Sequence, residues 1–148
     1  MGKFSGLADR NAIEGEMPYE KRDLPVTLYQ FLGRTRDAHG GRNAISFQLL
    51  SDPGAKAETL TWSGLHGRIT QAANLFRSLG IGEKDVVAYL LPNSIETAVT
   101  LLGGAVAGIV NPINPLLEPE QIAAILRETK AKVLVTLKAF PKTDVPQK

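Results

Sequence analysis

The sequence predicts an α/β fold of three layers, a mostly parallel sheet flanked by helices, with a small N-terminal β-hairpin in front of it. Three observations carry this expectation. Val86 to Leu91 (VVAYLL) is apolar at every position, as a strand covered on both faces must be, whereas a half-exposed strand alternates. From Ser63 onward the pattern runs helix, strand, helix, strand, helix, strand, and right-handed crossovers turn such alternation into parallel strands with helices on both faces. With 148 residues, 43% of them apolar and 22% charged, the chain has the size and composition of one globular domain around one core.

Taken in order, residues 1–23 mix glycine, charge and isolated apolar residues without a period, and read as an N-terminal arm, disordered or wrapped on the domain. The folded unit is expected over residues 24–139. Thr27 is a suitable N-cap for a helix to about Asp37, with Leu28, Phe31 and Leu32 on one face and Gly40 and Gly41 ending it. Ala44 to Leu50 (AISFQLL) and Glu58 to Trp62 (ETLTW) are rich in β-formers. Ser51, Asp52, Pro53 and Gly54 lie between them, so the pair reads as an antiparallel hairpin.

Ser63 is the expected cap of a helix to Leu79. Its stripe is Leu65, Ile69, Ala72, Ala73, Phe76 and Leu79, with Gly80 in the left-handed C-terminal position and Trp62 stapled against the first turns. A short turn (IGEKD) leads into the Val86 strand. Pro92, Asn93 and Ser94 then form a turn whose Asn or Ser caps a helix ending near Gly108. Ile109 to Asn111 is a short strand stopped by Pro112. Pro115 to Glu118 is a loop, Pro119 to Thr129 a helix with proline in its first turn, and Lys132 to Leu137 (KVLVTL) the last strand. Residues 140–148 read as a linker toward a missing remainder.

Composition narrows function by exclusion. Seventeen basic against 15 acidic residues give a net charge of +2, too small for nucleic-acid binding without a clustered patch. The one local bias, Arg127, Lys130, Lys132, Lys138, Lys142 and Lys148 against Glu128 and Asp144, could attract phosphate-bearing ligands, although solvated side chains at a helix end and tail also explain it. With no Cys and only His39 and His66, neither a disulfide framework nor a metal centre is expected. His39 falls in a turn and His66 off the apolar stripe, so both read as structural or solvated. The N-terminus has no apolar signal segment. The longest apolar stretch, Ala98 to Val110, is 13 residues, against the roughly 20 a membrane span needs. No transmembrane segment is expected, and the cytoplasm is the expected location.

Several short marks recur in a set order: Leu60, Thr61 and Trp62 before the long helix; LGIG at Leu79 to Gly82 with Asp85; LLPNS at Leu90 to Ser94; Asn111-Pro112 and Asn114-Pro115 before a Pro-Glu helix start. Each is generic alone. In this order and spacing, from Leu60 to Thr136, the chain resembles the N-terminal segment of AMP-forming acyl-CoA synthetases, the adenylate-forming superfamily. The resemblance implies a partial N-terminal subdomain of that fold. It implies a parent that uses ATP, magnesium and CoA to turn a fatty or other carboxylic acid into an acyl-adenylate and then a thioester. The partner it implies is the remainder of the synthetase.

That chemistry requires backbone amides and hydroxyls around a triphosphate, a magnesium-holding carboxylate and a lysine near the adenylate. The family's glycine-rich phosphate loop has no counterpart in these residues; Phe140, Pro141 and Lys142 lack the run that should precede them. The expectation is therefore no catalytic or metal-ligating residue, no cofactor bound by this chain, and no activity in isolation. Two groups remain as candidate contacts. Asn93 and Ser94 stand at the carboxyl end of a strand, the edge where open α/β sheets place ligands, although capping also explains them. Asn111, Asn114, Pro115, Leu116 and Leu117 lie in the region that, by resemblance, approaches the CoA channel. Gly103, Gly104 and Gly108 are expected to serve close packing rather than a ligand groove. The rival readings are a stand-alone α/β module binding a nucleotide or CoA at these strand ends, and an interaction domain that self-associates through an exposed sheet edge or helix face.

Overall fold

A computed structural model describes residues 6–49, 52 and 54–138. Its elements in chain order are α1 (Leu7–Glu16), a 3-10 turn (Tyr19–Lys21), α2 (Leu28–His39), β1 (Asn43–Phe47), β2 (Glu58–Thr61), α3 (Trp62–Ser78), β3 (Val86–Leu90), α4 (Ile95–Ala107), β4 (Ile109–Pro112), α5 (Pro119–Glu128) and β5 (Val133–Thr136).

β1 and β2 form the expected antiparallel hairpin. The remaining strands make a parallel sheet in the order β4-β3-β5, with Val87 level with Val110 and Val133, and Ala88 level with Asn111 and Leu134. Alternation along β3 divides the core. Val87 packs with Ala73, Phe76, Ile81 and Ala107 under α3 and α4, whereas Ala88 and Leu90 pack with Ile113 and Ile122 under α5. The sheet is thus covered on both faces, which makes three layers. A further cluster of Leu32, Leu65 and Ile69 joins α2 and the hairpin to α3. Ile69, Ile95 and Val87 are the largest fully buried side chains, each stabilising by about 1.5–3 kcal/mol relative to exposure.

The glycines expected to pack do so. A methyl at Gly103 would lie 2.7 Å from Ala72 Cβ, where α4 crosses α3, and one at Gly108 would lie 2.6 Å from both the Asp85 and Gly82 carbonyl oxygens. Only a bare backbone fits at those distances.

Element ends follow local chemistry. Thr27 Oγ1 accepts from Gln30 N–H at 3.2 Å and Ser94 Oγ from Thr97 N–H at 3.1 Å, so of the two capping candidates at α4 the serine is the cap. Gly80 takes the left-handed conformation at φ +83. The expected cap at Ser63 is corrected to Thr61, whose hydroxyl accepts from Gly64 N–H at 3.2 Å. The reason is tertiary. The N–H groups of Trp62 and Ser63 donate to the Arg42 and Gly40 carbonyls at 3.0 Å, so the first turn is satisfied by the α2–β1 connection and the helix starts directly from β2. Trp62 is thereby the first helical residue, packed against the Leu32, Leu65 and Ile69 cluster.

Two further readings change. Residues 7–16 of the arm, read as disordered or wrapped on the domain, are helical as α1, and none of them is buried, so no apolar stripe marked them in the sequence. Arg22 donates to the Ile13 and Met17 carbonyls at 3.2 Å and so ties that helix to the chain beyond the 3-10 turn. Phe31, expected on the buried face of α2, is 54% exposed, and Leu32 is the residue that is buried. The linker read at residues 140–148 lies outside the described residues, as do Leu50, Ser51 and Pro53 of the hairpin connection.

Candidate functional site

The carboxyl edge of the parallel sheet is where the sequence placed its candidate contacts, and hydrogen bonding separates their roles. Ser94 is committed to α4 as its cap, and the Thr97 hydroxyl donates to the Pro92 carbonyl, closing the turn. Asn93, next to them, is exposed and has no hydrogen-bond partner among the described residues. Asn111 lies within β4, in the strand where the sequence placed it. It is level with Ala88 on the α5 side, and its amide reaches the Thr129 hydroxyl at 3.5 Å.

Asn114, Pro115, Leu116 and Leu117 come together as one turn between β4 and α5. The Asn114 Oδ1 accepts from Leu116 N–H at 3.0 Å and its carbonyl from Leu117 N–H at 3.2 Å. Leu117 turns inward against Ala88, Leu90 and Ile122, while Leu116 projects outward at 85% exposure. Gln121 Oε1 accepts from Glu118 N–H at 3.0 Å and fixes the start of α5. Four of the five candidates therefore form one loop with one apolar side chain offered to solvent, and Asn111 stands behind it.

Beside Asn93 and Ser94 a cleft of about 340 Å³ opens between β1 and the first turns of α4, with Tyr89 among its lining residues. Sequence reasoning treats Tyr89 as one more residue of an apolar strand; its only signal there is to be the one polar-tipped side chain in VVAYLL. A larger cleft of about 460 Å³ runs between α2 and the α3–α4 pair, where the Tyr29 and Thr70 hydroxyls are 2.9 Å apart. None of the expected contact residues lines it.

Two ionisable groups are perturbed for structural reasons. At the amino edge of the sheet, hydrogen bonds from Lys132 and then from Gly82 N–H hold the Asp85 carboxyl below its ordinary value; the Lys132 Nζ lies 2.7 Å from Asp85 Oδ1. This explains physically why an aspartate accompanies the Leu79 to Gly82 mark. His66, expected off the stripe, is buried at 6% exposure because α2 lies across it, with the Tyr29 ring centroid 4.7 Å away. Burial first, then the Arg36 charge, lowers its pKa. The Arg36 guanidinium can only donate to Nδ1, at 3.2 Å, so the imidazole proton sits on Nε2, which has no partner among the described residues.

These residues do not fit a magnesium–triphosphate site. Among the described residues no three His, Asp or Glu side chains gather as metal ligands, and the sequence carries no glycine-rich phosphate loop. No adenylation step is assigned to them. Among the described residues no helix is long and apolar enough to cross a membrane.

Parallel strands covered on both faces, with turns and a helix N-terminus gathered at their carboxyl edge, define an open α/β scaffold. The chain belongs to the AMP-binding enzyme family, whose model matches residues 34–148. Its sequence is 50% identical over 66 residues to the marinolic acid–CoA ligase of Pseudoalteromonas sp. (strain SANK 73390), covering 45% of this chain and 10% of that protein. It is 35% identical over 106 residues to the acetyl-coenzyme A synthetase of Sodalis glossinidius, covering 71% of this chain and 16% of that protein. In fold it matches the fatty acyl CoA synthetase of Mycobacterium tuberculosis with a TM-score of 0.64 at 23% identity, over 74% of this chain and 21% of that one. The chain spans between 10% and 21% of the length of these relatives.

Proposed function

We propose that residues 24–139 are the N-terminal α/β subdomain of an ATP-dependent, AMP-forming carboxylic acid:CoA ligase whose substrate is a fatty or other carboxylic acid. The carrying observation is the family match over residues 34–148, and relatives named as CoA ligases and synthetases support the thioester-forming branch. In this reading ATP, magnesium and CoA belong to the parent enzyme, the remainder of the synthetase is the partner, residues 140–148 connect to it, and the cytoplasm is the location. The exposed Leu116 turn faces the CoA path. Asn93 and Ser94 stand toward the acid.

The 148-residue chain alone is expected to release no pyrophosphate from ATP with any carboxylic acid, and to give no heat with ATP, AMP or CoA in calorimetry. Turnover by the isolated chain would overturn that. The coding sequence beyond Lys148 tests the parent: an in-frame phosphate loop supports the ligase, and a stop codon there, joined to measurable nucleotide or CoA binding, supports the stand-alone module instead.

A further inference from the structure

We propose that α2 is an acid-released latch: protonation of His66 breaks the contact with Arg36 that holds α2 on α3, and α2 lifts off while the parallel sheet stays folded. The device is built from this chain's own groups and does not rest on the ligase reading.

α2 is lightly held. Of its 12 residues only Leu32 is buried, in the cluster with Leu65 and Ile69. Two polar ties add to that contact, the Tyr29 hydroxyl with Thr70 Oγ1 at 2.9 Å and Arg36 Nη1 with His66 Nδ1 at 3.2 Å. The carboxyl end is anchored separately, because the Gly40 and Arg42 carbonyls accept from Ser63 and Trp62 N–H at 3.0 Å. The helix can therefore leave α3 while its last turn stays fixed. A segment with so few apolar contacts opens ahead of the rest of the fold, and a detached helix of this length is marginal in water.

His66 lies under the middle of α2. Its Nε2 is enclosed beside Gly33, where an added methyl would lie 3.7 Å away, and has no hydrogen-bond partner among the described residues. Because Nε2 carries the proton of the neutral ring, an incoming proton has only Nδ1 to bind. That removes the lone pair that accepts from Arg36 and sets two cations 3.2 Å apart. Asp37 of α2 offsets the new charge only in part, since its carboxylate is already paired with Arg36 at 2.6 Å. Arg34, which lines the same side of α2, is paired with Asp23, and Arg68 of α3 is directed away to Glu58 and Glu96. Burial and then Arg36 keep the ring neutral while α2 is docked, whereas a ring released to water returns to its ordinary 6.5. Opening thus takes up a proton. Its equilibrium constant rises about tenfold for each pH unit below 6.5, until the docked form protonates as well.

The test is amide deuterium exchange of the 148-residue chain, followed from about pH 7.5 to about pH 5 and expressed as protection factors. The amides of Leu32 to Arg36 should lose protection about tenfold per pH unit below 6.5 and remain less protected than those of Val87 to Leu90 throughout. His66→Gln, neutral at every pH and able to accept from Arg36, is expected to abolish the slope. Arg36→Gln keeps a donor without the charge and should shorten the pH window over which the slope runs. His39→Gln, at an exposed position, should leave it in place. Protection of α2 that does not fall with pH, an α2 that exchanges only together with β3, or a slope that survives in His66→Gln would each overturn the proposal.

Discussion

At Gly108 the backbone of α4 passes so close to the turn before β3 that an added methyl meets two carbonyl oxygens at 2.6 Å, whereas Gly67, on the outer face of α3, has nothing within 4 Å. Gly108→Ala is therefore expected to destabilise by about 1–3 kcal/mol, and Gly67→Ala to stabilise by about 0.5–1 kcal/mol. Urea midpoints at constant slope distinguish them, and equal shifts would contradict the close approach. His66 gives a pH dependence with a definite sign. Because burial and Arg36 lower its pKa, the unfolded chain takes up the proton at a higher pH than the folded one. Stability is then full above the ordinary value of 6.5 and falls as pH drops through it toward the folded-state value. The melting temperature should decline over that window, and His66→Gln should flatten the decline; an unchanged slope in the variant would rule His66 out as its source. Nothing near His66 in the sequence announces its burial. It sits beside Leu65 on a helix whose stripe is satisfied without it, and only α2, folding back from far along the chain, covers it.

At the scale of elements, caps decide where helices begin. Thr61→Ala removes the acceptor for Gly64 N–H and is expected to cost about 0.5–2 kcal/mol. Ser63→Ala, two positions later, should cost markedly less, and the reverse order in thermal melts would restore Ser63 as the cap. Strands and helices from α2 onward were legible because each buries a face, and a buried face writes its period into the sequence. α1 was not, since no residue of it is buried, and the start of α3 was displaced because carbonyls at Gly40 and Arg42, distant in the sequence, satisfy its first donors. The loop read at Pro115 to Glu118 overlaps the turn that Asn114 closes onto Leu116 and Leu117. Asn111 was read as the last residue of the Ile109 strand and lies in β4; that it leans on Thr129 depends on where α5 packs, which local pattern does not carry.

Across the whole molecule, the layering was readable because the uniformly apolar Val86 to Leu91 segment has a single stable solution, burial between helices on both sides. The cleft beside Tyr89 was not, because it joins the hairpin to α4 and exists only once those elements meet. Strand order was also beyond periodicity, and it has a consequence for how the protein breathes. β3 is bonded on both sides, by β4 and by β5, while the outer edges of those neighbours have no partner among the described strands. Val87 and Ala88 are, in addition, fully enclosed. In deuterium exchange the amides of Val87 to Leu90 should be the last to take up label, released only when the whole structure opens, whereas those of α1 should label first. Early labelling of β3 would contradict its central place. Local opening can loosen the rim strands one at a time, but the middle one lets go only when everything does.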